Sequence, residues 1–207
     1  GEYGVGRYPT VVTSQQYERI LSPSGPYGGH LKRPSDGQEP KRIAWIQCVG
    51  SRRADRNWCS PVCCMYATKQ TIITKEHAPN TDSTVFYIDF RAYGKGFDAY
   101  FERAKSSGVR YVRAMPSTVR QDAATGNLEI QYALPDGRLI TETFDMVVLS
   151  VGLQAPKAMG HLAEELKVEL TADGFCKTTR EGVSPLNTTR EGVYVCGPFA
   201  EPKDIPE

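Results

Sequence analysis

Four of the six cysteines fall between residues 48 and 64: Cys48, Cys59, Cys63 and Cys64, in a C-x10-C-x3-C-C spacing. Cys63 and Cys64 are adjacent and poorly placed to bridge each other. With 207 residues, 40% of them hydrophobic, the chain can bury a core without covalent staples. Clustered thiols in such a chain suit a soft metal site better than disulfides. Four thiolates complete a tetrahedral zinc shell or hold one iron–sulfur cluster. Zinc ribbons usually carry two separated C-x2-C knuckles, which this sequence lacks, so iron–sulfur leads and zinc is the alternative. Any fold must bring the segments that carry these four residues to one point.

The surrounding pattern says how. Arg42-Ile-Ala-Trp-Ile-Gln-Cys-Val reads as a buried strand, and a helix is expected over residues 60–77. Cys48 then lies at a strand end and the other three at a helix start. Cys59 and Cys63, four apart, would share one helix face. Thr84-Val-Phe-Tyr-Ile-Asp-Phe is a second strand, residues 97–106 have helical spacing, and Val109-Arg-Tyr-Val-Arg is a third strand. A β-α-β-α-β order predicts an α/β fold with a parallel sheet. Runs at 128–133 and 139–144, joined across Pro135-Asp136-Gly137, predict a hairpin. Met146-Val-Val-Leu-Ser-Val is a buried strand, with a short helix expected over 156–166 and a last strand over 192–196. Nearer the start, residues 11–21 read as one helix with Ser14 near its N-cap. The run Thr-Thr-Arg-Glu-Gly-Val, at 178–183 and 188–193, is read as a repeated turn. Cys176 and Cys196 are read as a loop thiol and a strand thiol.

Charge and hydropathy narrow the classes. A net charge of +1 offers no electrostatic case for nucleic acid. No apolar run approaches the roughly 18 residues of a membrane span, so the chain is expected to be cytoplasmic and not itself membrane-spanning. No G-x-G-x-x-G fingerprint is present, which counts against a nicotinamide-dependent enzyme. The phosphate reading of Ser51-Arg-Arg, and of Arg91 with Gly94-Lys-Gly, competes with a plain solvated face. Gly152 and Gly197 follow buried-type runs, where a glycine lets backbone approach a flat cofactor or simply makes a turn. The three histidines are scattered, and no hydrolase motif appears. Trp45, Tyr66, Phe86 and Tyr111 are expected in the core. Lys69 and Lys75 are expected on an exposed helix face.

Seven runs together resemble the A subunit of heterodisulfide reductase. They are Arg7-Tyr-Pro-Thr-Val-Val-Thr-Ser, Ser24-Gly-Pro-Tyr-Gly-Gly-His, Ile46-Gln-Cys-Val-Gly-Ser-Arg, Cys59-Ser-Pro-Val-Cys-Cys-Met-Tyr-Ala-Thr-Lys, Asp89-Phe-Arg-Ala-Tyr-Gly-Lys-Gly, Leu149-Ser-Val-Gly-Leu and Pro202-Lys-Asp-Ile-Pro-Glu. The flavin subunits of the quinone-interacting membrane-bound oxidoreductase are similar in the same runs.

The resemblance implies a thioredoxin-reductase-like architecture in which an NAD-like Rossmann-type domain is inserted into an FAD-binding domain. On that basis residues 1–39 are an FAD-domain remnant and linker. Residues 40–144 are the NAD-like domain with the cysteines, and 145–207 an FAD-domain C-terminal segment. It implies a [4Fe-4S] cluster on Cys48, Cys59, Cys63 and Cys64, and flavin-side positions at Glu18, Lys69 and Lys203. A lysine beside a flavin ring favours its negatively charged reduced form. The implied activity is that of an oxidoreductase component, which acts on disulfide donors within a complex of other subunits; a homodimer is compatible with it. The family's glycine-rich FAD segment and final FAD helix have no counterpart here. The isolated fragment is therefore expected to be inactive, with FAD belonging to a longer parent. Gly197-Pro198 also stands where many related reductases have Gly-Asp.

Overall fold

The computed structural model describes residues 1–180 and 182–204. Its centre is a five-stranded parallel sheet in the order β1-β8-β2-β3-β4. The strands are β1 (Val11–Thr13), β2 (Arg42–Val49), β3 (Asp82–Tyr87), β4 (Arg110–Arg113) and β8 (Met146–Val151). β5 (Thr118–Gln121), β6 (Leu128–Ala133) and β7 (Leu139–Phe144) form a separate antiparallel meander. The helices are α1 (Ser14–Leu21), α2 (Cys63–His77), α3 (Phe97–Ser106) and α4 (Met159–Leu166). A small hairpin, β9 (Thr178–Arg180) with β10 (Ser184–Thr188), follows.

Side chains alternate across the sheet, and both faces are dry. Ile43, Trp45, Val85, Met146 and Val148 pack with Tyr17 and Ile20 of α1, Ala67 and Ile72 of α2 and Ala104 of α3. Ala44, Ile46, Phe86, Val147 and Leu149 face Val119, Leu128, Ile130 and Phe144 of the meander. Burial on both sides is why β2 and β8 read as continuous apolar runs. The expected hairpin is present as β6–β7, with Ala133 opposite Leu139 and Gly137 in a left-handed turn at φ 84. Trp45 and Phe86 are fully buried, and Tyr66 and Tyr111 pack half-buried against the core.

Several expectations need correction. Residues 11–21 are not one helix. The β-branched Val-Val-Thr run pairs with β8, and α1 begins only after it. The N-cap is Thr13 rather than Ser14: Gln16 N–H donates to Thr13 Oγ1 at 3.3 Å, and Thr13 N–H donates to Gln16 Oε1 at 2.8 Å. The helix expected from residue 60 starts at Cys63, so Cys59 shares no helix face with it. Residues 192–196 form no strand among the described residues; a single bridge joins Tyr194 to Asn187. Cys176 is accordingly the buried thiol beside a short bridge to Leu170, and Cys196 is exposed and outside any strand. The first copy of the repeated run supplies β9 rather than a turn, and Glu181 within it lies outside the described residues. β5 was not expected; Val119 is its only buried side chain, too little for a strand pattern.

The expected boundary at residue 144 falls within this hydrogen-bonded unit. β8, which begins at Met146, sits between β1 and β2, and so draws all three expected segments into one sheet. Among the described residues no helix is long and apolar enough to cross a membrane.

Candidate metal centre

The C-terminal end of β2 leaves the sheet through an unusual turn. Cys48, Gly50 and Arg52 all have left-handed backbone, at φ 60, 74 and 56. Non-glycine residues rarely hold that conformation, and such strain gathers at functional sites. The loop then returns through Trp58 and Cys59 to the start of α2. Arg52 N–H donates to Trp58 O at 3.2 Å and closes it. Cys63 and Cys64 are buried in the first turn of α2, whereas Cys48 and Cys59 are half-buried.

The thiols lie within electrostatic reach of one another. Burial pushes Cys63 up to about 12, opposed by a hydrogen bond from Tyr66 and reinforced by Cys64, Cys48 and Cys59. Burial likewise pushes Cys64 up to about 11, with a hydrogen bond from the Arg91 backbone pulling the other way. Cys48 is also raised, first by burial, while the Arg52 guanidinium lowers it. Left alone, these three groups stay protonated at neutral pH. Among the described residues, no three or more His, Cys, Asp or Glu side chains are gathered so as to hold a single ion. The four cysteines form a soft donor set whose thiols interact electrostatically.

Unsatisfied polar groups border the site. Gln47, next to Cys48, is fully buried, yet neither its Nε2 nor its Oε1 has a partner. Buried polar atoms are nearly always paired. This amide, next in sequence to Cys48, holds polar capacity that the described contacts do not use.

Gly152 has a packing reason for lacking a side chain. A Cβ there would come within 2.2 Å of Ser51 Oγ and 2.8 Å of Ser60 Oγ. Ser60 Oγ in turn accepts from Leu153 N–H at 2.7 Å. The glycine thus lets the end of β8 lie against the loops that deliver Cys48 and Cys59.

Beside the thiols opens a cleft of about 1160 Å³, lined among others by Met65, Tyr66, Lys69, Phe97, Gly197 and Lys203. Lys69 Nζ is 2.6 Å from Glu18 Oε1, and Gln70 Nε2 donates to Glu18 Oε2 at 3.1 Å. Lys203, largely buried, pairs with Glu201 at 3.0 Å. Lys69, Gly197 and Lys203 therefore meet in one cleft, Glu18 anchors Lys69 from α1, and Gly152 sits on the thiol side. Of the last run in the resemblance, Ile205, Pro206 and Glu207 lie outside the described residues.

Tyr66 joins the two regions. It lines the cleft, its hydroxyl donates to Val151 O at 2.7 Å, and it faces the Cys63 thiol. The sequence placed it in the core and gave no signal of this position. Arg52 and Asp89, paired at 2.8 Å beside Cys48, were equally illegible, because their meeting depends on two loops from different strands.

A parallel sheet between a helical layer and an antiparallel meander, with a cleft at the strand ends, defines a thioredoxin-reductase-like α/β protein. The solved thioredoxin reductase of T. acidophilum matches all of this chain and 55% of its own, with a TM-score of 0.57 at 16% identity. That likeness concerns the fold. By sequence the chain is related along its entire length to heterodisulfide reductase A subunits. It is 41% identical over 100% of its length to the A subunit of the H(2)/formate:CoB-CoM heterodisulfide,ferredoxin reductase of Methanococcus maripaludis. It is equally 41% identical, over 100% of its length, to the iron-sulfur A subunit of the CoB–CoM heterodisulfide reductase of Methanocaldococcus jannaschii. The chain spans about a third of these relatives, 32% of each. No family model matches it.

Proposed function

We propose that the chain is the cluster-bearing part of an iron–sulfur flavoprotein subunit of the heterodisulfide reductase A type. It would pass electrons between FAD, held with the longer parent, and a [4Fe-4S] cluster, and on to other subunits of a cytoplasmic complex. The observation that carries this reading is Tyr66, one ring that borders both the cleft and the thiol site. Cys48, Cys59, Cys63 and Cys64 would hold the cluster, and the orphaned Gln47 amide supplies unused hydrogen-bonding capacity beside them. Lys69 and Lys203 place positive charge on the cleft, where it favours an anionic ligand. Glu18 fixes Lys69 in place. Bound together, the two cofactors supply coupled one- and two-electron transfer. Disulfide cleavage falls to a partner subunit, since the sequence contains no C-x-x-C pair.

The domain assignment belongs to the same proposal: an NAD-like unit set within an FAD-binding parent. The zinc alternative would draw on the same four thiols. Anaerobic reconstitution followed by iron, sulfide and zinc analysis separates the two. Iron and sulfide near four per chain, in a brown protein, is the expected result. A colourless chain carrying zinc and no iron would overturn it.

A further inference from the structure

We propose that Arg52 is a positioning residue of the metal centre, which orients the Cys48 ligand and supplies a fixed positive charge favouring the centre's more negative, reduced state. This rests on the cluster reading given above.

The geometry of Arg52 is held from several sides. Its backbone is left-handed at φ 56, a conformation in which glycine would be free of strain and arginine is not. Strain retained at a non-glycine residue points to a use for the side chain. The guanidinium Nη2 donates to Asp89 Oδ2 at 2.8 Å, across to the loop that follows β3. Asp89 is held in turn by Arg113 Nη2 at 3.3 Å from the end of β4. The Arg52 backbone closes the loop that delivers Cys59. One residue thus ties together the exit of β2, the return to α2 and the neighbouring strand.

The charge is also well placed. Arg52 faces Cys48 and reaches Cys59. Its side chain is 26% exposed, against 50% for Arg53, which pairs outward with Glu2 and Asp55. Asp89 is shared between Arg52 at 2.8 Å and Arg113 at 3.3 Å, so two guanidinium groups meet one carboxylate and the ion group carries a net positive charge. A sheltered cation beside a redox centre stabilises the state that carries the extra electron, which raises the reduction potential.

The test compares wild type, Arg52→Gly, Arg52→Lys and Arg53→Gln, each reconstituted anaerobically. Iron content, thermal melting and the midpoint potential from an EPR-monitored redox titration are read for all four. Arg52→Gly relaxes the backbone while removing the charge, so it is expected to keep its iron and shift the midpoint to more negative potential. Arg52→Lys is expected to recover most of that shift, and Arg53→Gln to leave the midpoint unchanged. A fully loaded Arg52→Gly with the wild-type midpoint overturns the proposal. So does equal loss of iron from both Arg52 variants with an unchanged midpoint in the remaining centre, which would mark a purely structural role. A wild-type chain that takes up no iron overturns the cluster reading itself, a distinguishable failure.

Discussion

Gly152 shows how a single missing carbon shapes the site. Ser51 and Ser60 occupy the space its Cβ would need, and both sit in the segments that carry Cys48 and Cys59. Gly152→Ala is expected to cost about 1–3 kcal/mol by overpacking, read as a lower urea midpoint, and to reduce iron uptake. Cys63 and Cys64 act differently. They are buried at the head of α2, where cluster binding under the proposed reading would be coupled to ordering that turn. Cys63→Ser or Cys64→Ser is expected to abolish reconstitution and lower the melting temperature of the reconstituted protein. Full iron content with an unchanged melting curve would remove either residue from the ligand set. At this scale the sequence named the four cysteines, because thiol clustering is a property of spacing and residue type. It did not separate Cys59, which lies in the preceding loop, from the two on the helix.

Among the elements, α1 depends on its cap. Thr13 and Gln16 satisfy each other's backbone N–H groups, and the helix they start carries Glu18 to Lys69. Thr13→Ala is expected to cost about 1 kcal/mol in a denaturant titration. The meander is tied to the parallel sheet by Glu142 of β7, which accepts from Arg110 Nη2 at 2.7 Å, Arg42 Nη2 at 2.9 Å and the Tyr132 hydroxyl. Burial raises the Glu142 pKa, but these bonds outweigh it and the net shift is downward. A carboxyl lowered on folding stabilises the protein above its unfolded pKa, and that contribution is lost as pH falls through the folded value. Stability is therefore expected to drop below about pH 4.5, and Glu142→Gln to flatten that drop while costing about 1–2 kcal/mol at neutral pH. Urea midpoints measured across pH 3–7 test both. The strands β2, β3 and β8 were legible because burial on two faces leaves continuous apolar runs. β5 was not, since a short edge strand of a meander shows only one apolar face position.

For the whole molecule, the cleft raises the question of what the chain binds unaided. Lys69 and Lys203 are in place, but no G-x-G-x-x-G segment is present to cradle a pyrophosphate. Titration with FAD is accordingly expected to show no saturable binding at micromolar concentration, and NADH the same. Tight binding of either would show that the cleft carries more of the site than its residues suggest. The boundary expected near residue 144 rests on the family resemblance, and strand order is a separate matter: β8 pairs with both β1 and β2, so strands far apart in the sequence share one sheet.

By itself the sequence determined the α/β class, the central strands, the β6–β7 hairpin and the four thiols, all of which follow from periodicity, turn chemistry and residue type. Only the tertiary structure decided that β1 and β8 join one sheet, that Gly152 makes room for two serines, and that Tyr66 stands between the cleft and the thiols. It also brought Arg52 to Asp89 and Cys48. Those relations join residues tens of positions apart through strand order and loop return, and no local pattern of side chains encodes which strand lies beside which.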